Sequence, residues 1–167
     1  MLSNIFFKFW RILSLPFLAI TFIINYVTLP DTIAIHHTAL GLPDGFVGKE
    51  TFFYSGFAII IIFNLLINLL KSQALKLDYL KLKPTSEWAK NTDQLKAVVE
   101  GWMDTIIAYI NSFLAIVLIA LNRINRGDGQ KLDLNYNIIM WIAAALFLFI
   151  IVFLPIRLLY TSPKEEV

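Results

Sequence analysis

The feature that most constrains this chain is the recurrence of long apolar runs. A helix that crosses a bilayer needs about 20 mainly apolar residues. Four segments meet that requirement, at about 5–28, 51–71, 93–123 and 137–160. The first carries Lys8, Arg11 and Pro16 near its start, and the fourth is almost free of polar residues before Arg157. None alternates polar and apolar residues over a sustained stretch, which argues against a transmembrane barrel. The pattern predicts an all-α integral membrane protein with four transmembrane helices. A short extended outer loop, residues 29–50, joins helices 1 and 2. An inner loop (72–92) and a second outer loop (124–136) complete a single membrane domain spanning residues 1–167.

Composition fits this class. The chain is 58% hydrophobic and 16% charged, against about 45–50% and ~25% in soluble domains. A net charge of +2, with no basic cluster interleaved with aromatics, excludes a nucleic-acid surface. The absence of cysteine excludes disulfides, thiolate metal ligands and Cys nucleophiles.

Lys8 and Arg11 ahead of an apolar run resemble the start of a signal peptide. The run ends in Ile24-Asn25-Tyr26-Val27, which offers no small-x-small cleavage site, so a retained helix is expected. Orientation follows from the basic residues. Lys8, Arg11, Lys71, Lys76, Lys81, Lys83, Lys90, Lys96, Arg157 and Lys164 fall on one side, and Lys49, Arg123, Arg126 and Lys131 on the other. Positive charge stays on the cytoplasmic side. Both termini and the 72–92 loop are therefore expected inside, and the other two loops outside. Trp10, Trp102, Trp141, Tyr26, Tyr54, Tyr136 and Tyr160 lie near the expected boundaries, where amphipathic rings settle.

In the inner loop, Leu75, Leu77, Leu80 and Leu82 alternate with charged residues before Pro84. Composition leaves two readings: an amphipathic segment on the membrane face or a solvated linker. Asn91, with Gln94 three residues on, predicts a helix cap in a box-like arrangement. From there the chain reads as helix to about Asn125. Gly127-Asp128-Gly129 signals a turn. Thr161 to Val167 reads as a frayed tail.

The 29–50 loop is the most informative connection. Pro30 stops the first helix, and Thr32 to Ile35 is apolar and largely β-branched, which favours a strand. Pro43-Asp44-Gly45 predicts a turn: Pro presets φ, Asp bonds its own backbone, and Gly supplies positive φ. Gly48 can begin the second helix. His36 is expected to hydrogen-bond within the loop. Because neighbouring strand residues face opposite ways, His36 and His37 make poor joint metal ligands, and no metal site is expected.

Leu29-Pro30, Ile33-Ala34-Ile35-His36, Gly41, Pro43-Asp44-Gly45 and Lys49 together resemble one family. It is a bacterial membrane family of unknown function that forms the N-terminal domain of SdpI-type toxin-immunity proteins. Its loop has the form Leu-Pro, Ile-Pro-x-His-Phe, Gly-x-x-Asp-Gly, Lys. The match covers about 25 residues over this one loop. Ala34 stands where the family has Pro, and His37 where it has Phe. Full SdpI-type proteins also carry further C-terminal helices. The resemblance implies a multi-pass protein of the bacterial cytoplasmic (inner) membrane.

Within the spans, Asn64 and Asn68 lie one turn apart. Glu100, Asp104, Asn111 and Asn122 fall within about 40° of one another at ~100° per residue. Such a stripe should face protein, with asparagines acting as interhelical glue. Asp104 is the pointed residue, because an ionisable group at membrane depth is costly. Lys71 is its expected partner if those helices pack together.

No phosphate-binding loop, Gly-x-Ser-x-Gly or His-Glu-x-x-His occurs, so no catalytic residue and no cofactor is expected. The functional expectation is a non-catalytic protein that binds, senses or confers SdpI-like immunity. The loop residues concerned are Pro30, His36, His37, Gly41, Pro43, Asp44, Gly45 and Lys49. One alternative is an auxiliary subunit of a larger membrane complex. Another is a small transporter using Asp104 and the intramembrane residues Asn64, Asn68 and Asn111. The expected partners are the lipid bilayer and a peptide or membrane protein, with oligomeric state left open.

Overall fold

The computed structural model describes residues 2–132 and 136–163. The end of the expected tail (164–167, including Lys164) and part of the 124–136 loop lie outside them. The elements run α1 (Leu2–Thr28), β1 (Thr32–His37), β2 (Pro43–Gly48), α2 (Lys49–Lys76), α3 (Tyr79–Leu82), α4 (Glu87–Lys90) and α5 (Thr92–Arg126). A 3-10 turn (Asp128–Gln130) and α6 (Asn137–Tyr160) complete the order. α1, α2, α5 and α6 are each long and apolar enough to cross a membrane.

α6 keeps the expected bounds, while α2 and α5 outrun the expected apolar limits. α2 was expected over about 51–71 but starts at Lys49 and continues to Lys76. Ser72-Gln73-Ala74-Leu75-Lys76 contains no Gly or Pro, so helix propensity carries the chain past the end of the apolar stretch. α5 has 35 residues, about 52 Å at 1.5 Å per residue.

α5 is the central element. In its most apolar window 39% of the residues are buried, against 6% for α6. α1 makes its main packing against α5, and the two run parallel: Arg11 meets Asp104 near one end, and Thr28 meets Asn122 near the other. Spacing explains the fit. On α1 the buried residues are Ser14, Leu18, Thr21 and Asn25; on α5 they include Asp104, Ala108, Asn111, Ala115, Leu118 and Asn125. Both series step by alternating threes and fours, with one full heptad from Leu118 to Asn125, the period that keeps one seam of each helix facing the other. Small and polar residues fill most of these positions, which lets the backbones approach closely. α6 docks on α5 through Tyr109, whose hydroxyl donates to the Ala143 carbonyl at 2.5 Å, and Trp102, whose indole N–H donates to the Ile150 carbonyl at 2.6 Å.

The connector between α2 and α5 is neither an extended amphipathic strip nor a free linker. Asp78 begins the single-turn helix α3, its carboxylate accepting from the Lys81 backbone N–H at 3.3 Å. That bond, with the Lys81 ammonium, holds the Asp78 carboxyl below its ordinary range. Burial pushes the Tyr79 phenol up, and its hydroxyl donates to the Ala74 carbonyl at 2.8 Å. In α4, Trp88 is buried with Leu95 and Val99, against Leu154 and Leu158 of α6. Its indole N–H donates to the Thr161 carbonyl at 2.8 Å, so the start of the expected tail is tied down.

Asn91 stands at the start of α5 but does not form the expected capping box. Its side chain makes no cap bond, and its amide instead donates to the Glu87 carbonyl at 3.0 Å. The same carbonyl also accepts the Asn91 backbone N–H at 3.1 Å, so Asn91 closes the single turn of α4 as well as opening α5.

Candidate functional site

Two polar assemblies stand at opposite ends of the bundle. The first is the β1–β2 hairpin. Its strands are antiparallel, with irregular register on either side of His36. The reversal occurs at residues 38–42, where Thr38 N–H donates to the Leu42 carbonyl at 2.8 Å and Gly41 N–H to the Thr38 carbonyl at 2.9 Å.

This corrects the expected turn at Pro43-Asp44-Gly45, which instead forms the start of β2. The left-handed residue is Gly41, at φ +76°. A Cβ there would also lie 2.6 Å from the Leu132 carbonyl oxygen. Gly45 is needed for another reason: a Cβ on it would lie 2.8 Å from the His36 Cβ across the ladder. Asp44 is not a turn former; its carboxylate accepts from His36 Nδ1 at 2.5 Å.

The hairpin is fastened from behind. The Asn125 carboxamide accepts from Ala34 N–H at 2.7 Å and donates to the Ala34 carbonyl at 3.1 Å, imitating one rung of a third strand. Gln130 donates to the Thr32 carbonyl at 2.9 Å. His37 Nε2 lies 2.8 Å from the Gln130 carbonyl. A carbonyl only accepts, so this nitrogen carries a proton. Leu132 N–H donates to the Gly41 carbonyl at 2.9 Å. Below, Ile33 is fully buried with Leu29 and Phe53. Lys49 donates to the Leu29 carbonyl at 2.8 Å and lies over the Tyr26 ring at 5.4 Å. Pro30 follows the end of α1, as its effect on the preceding residue requires.

The two histidines therefore part ways, His36 to Asp44 and His37 to the α5 side. The hairpin also bears exposed apolar side chains. Leu40 is 86% exposed, and Ile35, Leu42 and Phe46 are each about half exposed, beside the exposed His36–Asp44 pair.

The second assembly lies at the end that carries the termini. Asp104 is 1% exposed. Its Oδ1 receives Lys71 Nζ at 2.8 Å and Arg11 Nη1 at 2.9 Å. Lys71 also reaches Glu100 at 3.2 Å, and Lys8 reaches Glu100 at 3.6 Å. Arg11 donates to the Asn68 side-chain oxygen. One level further into the bundle, Asn64 and Asn111 exchange reciprocal amide bonds of 3.0 and 3.1 Å. Asn122 donates to the Thr28 hydroxyl at 2.6 Å.

The structure thus brings Asp104, Lys71, Asn64, Asn68 and Asn111 to one interface. Arg11 and Asn125 were not among the residues expected to form a site. Asn125 lies two heptads beyond Asn111 on the same stripe, so extending that stripe would have reached it. Arg11, counted only for orientation, precedes Ser14 and Leu18 on the α1 seam at the same spacing. Comparison with protein-family models, with curated proteins and with solved structures found no match.

Proposed function

We propose that the chain is a non-catalytic multi-pass protein of the bacterial cytoplasmic membrane that binds a peptide or membrane-protein partner through its hairpin. The termini face the cytoplasm and the hairpin faces out. Immunity of the SdpI type is the particular form suggested by the loop resemblance. The observation that carries this reading is that the hairpin is anchored to α5 and the turn after it, yet keeps large apolar side chains exposed. It is held by Asn125 and Gln130. It offers Ile35, Leu40, Leu42 and Phe46 to its surroundings. A rigid apolar surface of this kind loses little entropy on binding, and exposed apolar patches mark interaction sites.

Membrane insertion is supported by the outward faces of α1, α2 and α6, which are covered with Ile, Leu and Phe. Such faces are at home in lipid and would aggregate in water. Orientation is supported by the excess of Lys and Arg on the side of the termini. On this reading the charge cluster assembles the bundle, because its members satisfy one another.

The test has two parts. In this cysteine-free chain, Thr38→Cys and Lys90→Cys should label from opposite sides of the membrane; labelling from the same side contradicts the orientation. A photo-crosslinking residue at Leu40 should give a discrete adduct in cells, and Phe46→Asp should remove it at unchanged protein level. If Leu40 yields no adduct, or the adduct survives Phe46→Asp, the hairpin is not the binding surface.

A further inference from the structure

α1 and α6 both pack chiefly on α5, and a cleft of about 570 Å³ separates them. Its walls include Phe7 and Trp10 from α1, Trp102 from α5, and Phe149, Phe153 and Arg157 from α6. The other polar groups in the wall are already engaged. Trp10 donates to Ser112 at 3.0 Å, Trp102 to the Ile150 carbonyl at 2.6 Å, and Thr105 to the Gly101 carbonyl at 2.7 Å. Arg157 differs. Among the described residues its guanidinium has no ion-pair partner, whereas Lys8, Arg11 and Lys71 at the same end are each paired with a carboxylate. A second cavity of about 430 Å³ shares Trp10 and Ile150 with the first and continues it to Ile139. From Arg157 to Ile139 is about 27 Å along α6 at 1.5 Å per residue. One leaflet offers an acyl chain about 15 Å, half the hydrocarbon core.

We propose that this cleft binds one anionic phospholipid, with its phosphate on Arg157 and an acyl chain between α1 and α6. Charge complementarity selects the occupant. An arginine in the last turn of a spanning helix, beside an apolar cleft and without an ion-pair partner among the described residues, attracts a counter-charge at headgroup level, and its planar fork matches phosphate oxygens. Basic sites between helices on the cytoplasmic side bind anionic headgroups. The aromatic walls are too apolar to hold a water-soluble anion without a chain attached. The inference rests on the membrane reading above, and the experiment separates the two.

Trp10 and Trp102 line the cleft and serve as reporters. A Trp88→Phe/Trp141→Phe protein, reconstituted in phosphatidylcholine vesicles, is titrated with chain-brominated phosphatidylglycerol or, in parallel, chain-brominated phosphatidylcholine. The expected result is saturating quenching with about a five-fold preference for the anionic lipid. Arg157→Gln should abolish the preference and Arg157→Lys should keep part of it. Equal quenching by both lipids overturns the site and leaves the membrane reading standing. No quenching by either overturns both. Wild-type protein, which depends on no variant folding, gives a second measurement by native mass spectrometry after delipidation. One retained phospholipid per chain, carrying anionic headgroup mass, is expected. No retained lipid, or a retained fatty acid without phosphorus, overturns the proposal.

Discussion

Replacing Asp104 by Asn removes the more buried of the two carboxylates, Asp104 and Glu100, on which α1, α2 and α5 converge. The size of the effect depends on what the two stranded cations can still reach. Breaking a fully buried ion pair from one side costs about 3–5 kcal/mol, while an average interhelical hydrogen bond in a membrane protein is worth about 0.6 kcal/mol. Lys71, whose side chain is 11% exposed, keeps Glu100 at 3.2 Å. Arg11, 32% exposed, keeps Asn68 as its one remaining side-chain partner among the described residues, and its partial contact with solvent discounts its penalty. The expected loss is therefore about 2 kcal/mol, between the two reference values. It should fall mainly on Arg11. In the Asp104→Asn background, adding Arg11→Gln should recover about 1 kcal/mol, whereas adding Lys71→Gln should recover less, because that lysine was not orphaned. Reversible unfolding in mixed micelles, followed by helix circular dichroism, reads these differences as a double-mutant cycle. The reasoning is refuted if Asp104→Asn lies within about 0.5 kcal/mol of wild type, or if Lys71→Gln rescues it as well as Arg11→Gln does.

Asn125→Leu should release the hairpin, because the buried N–H and carbonyl of Ala34 lose their partner; about 2 kcal/mol of local stability is at stake. Hydrogen exchange at Ala34 should accelerate while exchange in mid-α5 stays slow, and uniform acceleration would argue against a local clamp. Gly41→Ala should destabilise the hairpin more than Gly45→Ala, by about 1 kcal/mol or more, since only Gly41 combines positive φ with a backbone oxygen in the way; melting temperatures of the two variants give the comparison. Asp78 should titrate below the usual carboxylate range in a site-resolved NMR pH series. Because its folded pKa is depressed, its contribution to α3 is present above the unfolded value and lost as pH falls through the lowered one; a midpoint at or above the ordinary value contradicts the cap.

Local chemistry settled much of this protein before any tertiary contact is considered. Four apolar runs, each long enough to cross a bilayer and none alternating as a barrel strand would, predicted four long helices, and four are present. Thr32 to Ile35 specified a strand through side-chain branching, and Pro30 specified where α1 ends. Even the Asp104–Lys71 pair was legible, since helical periodicity placed Asp104 on the protein-facing stripe and Lys71 at the matching depth. What the sequence could not decide was which of several locally adequate groups would be used. Pro43-Asp44-Gly45 has good turn chemistry, yet the turn sits at residues 38–42. There Gly41 must pass close to Leu132, and His36 must face Gly45 and pair with Asp44. Asn91 and Gln94 form an adequate capping box in isolation, yet the Asn91 side chain turns back to the Glu87 carbonyl of the neighbouring α4. Arg11 looked like a topological charge until the parallel packing of α1 on α5 brought it to Asp104. In each case propensity and periodicity act over one turn or a few residues, while the competing partner arrives from an element that only the packed bundle brings near.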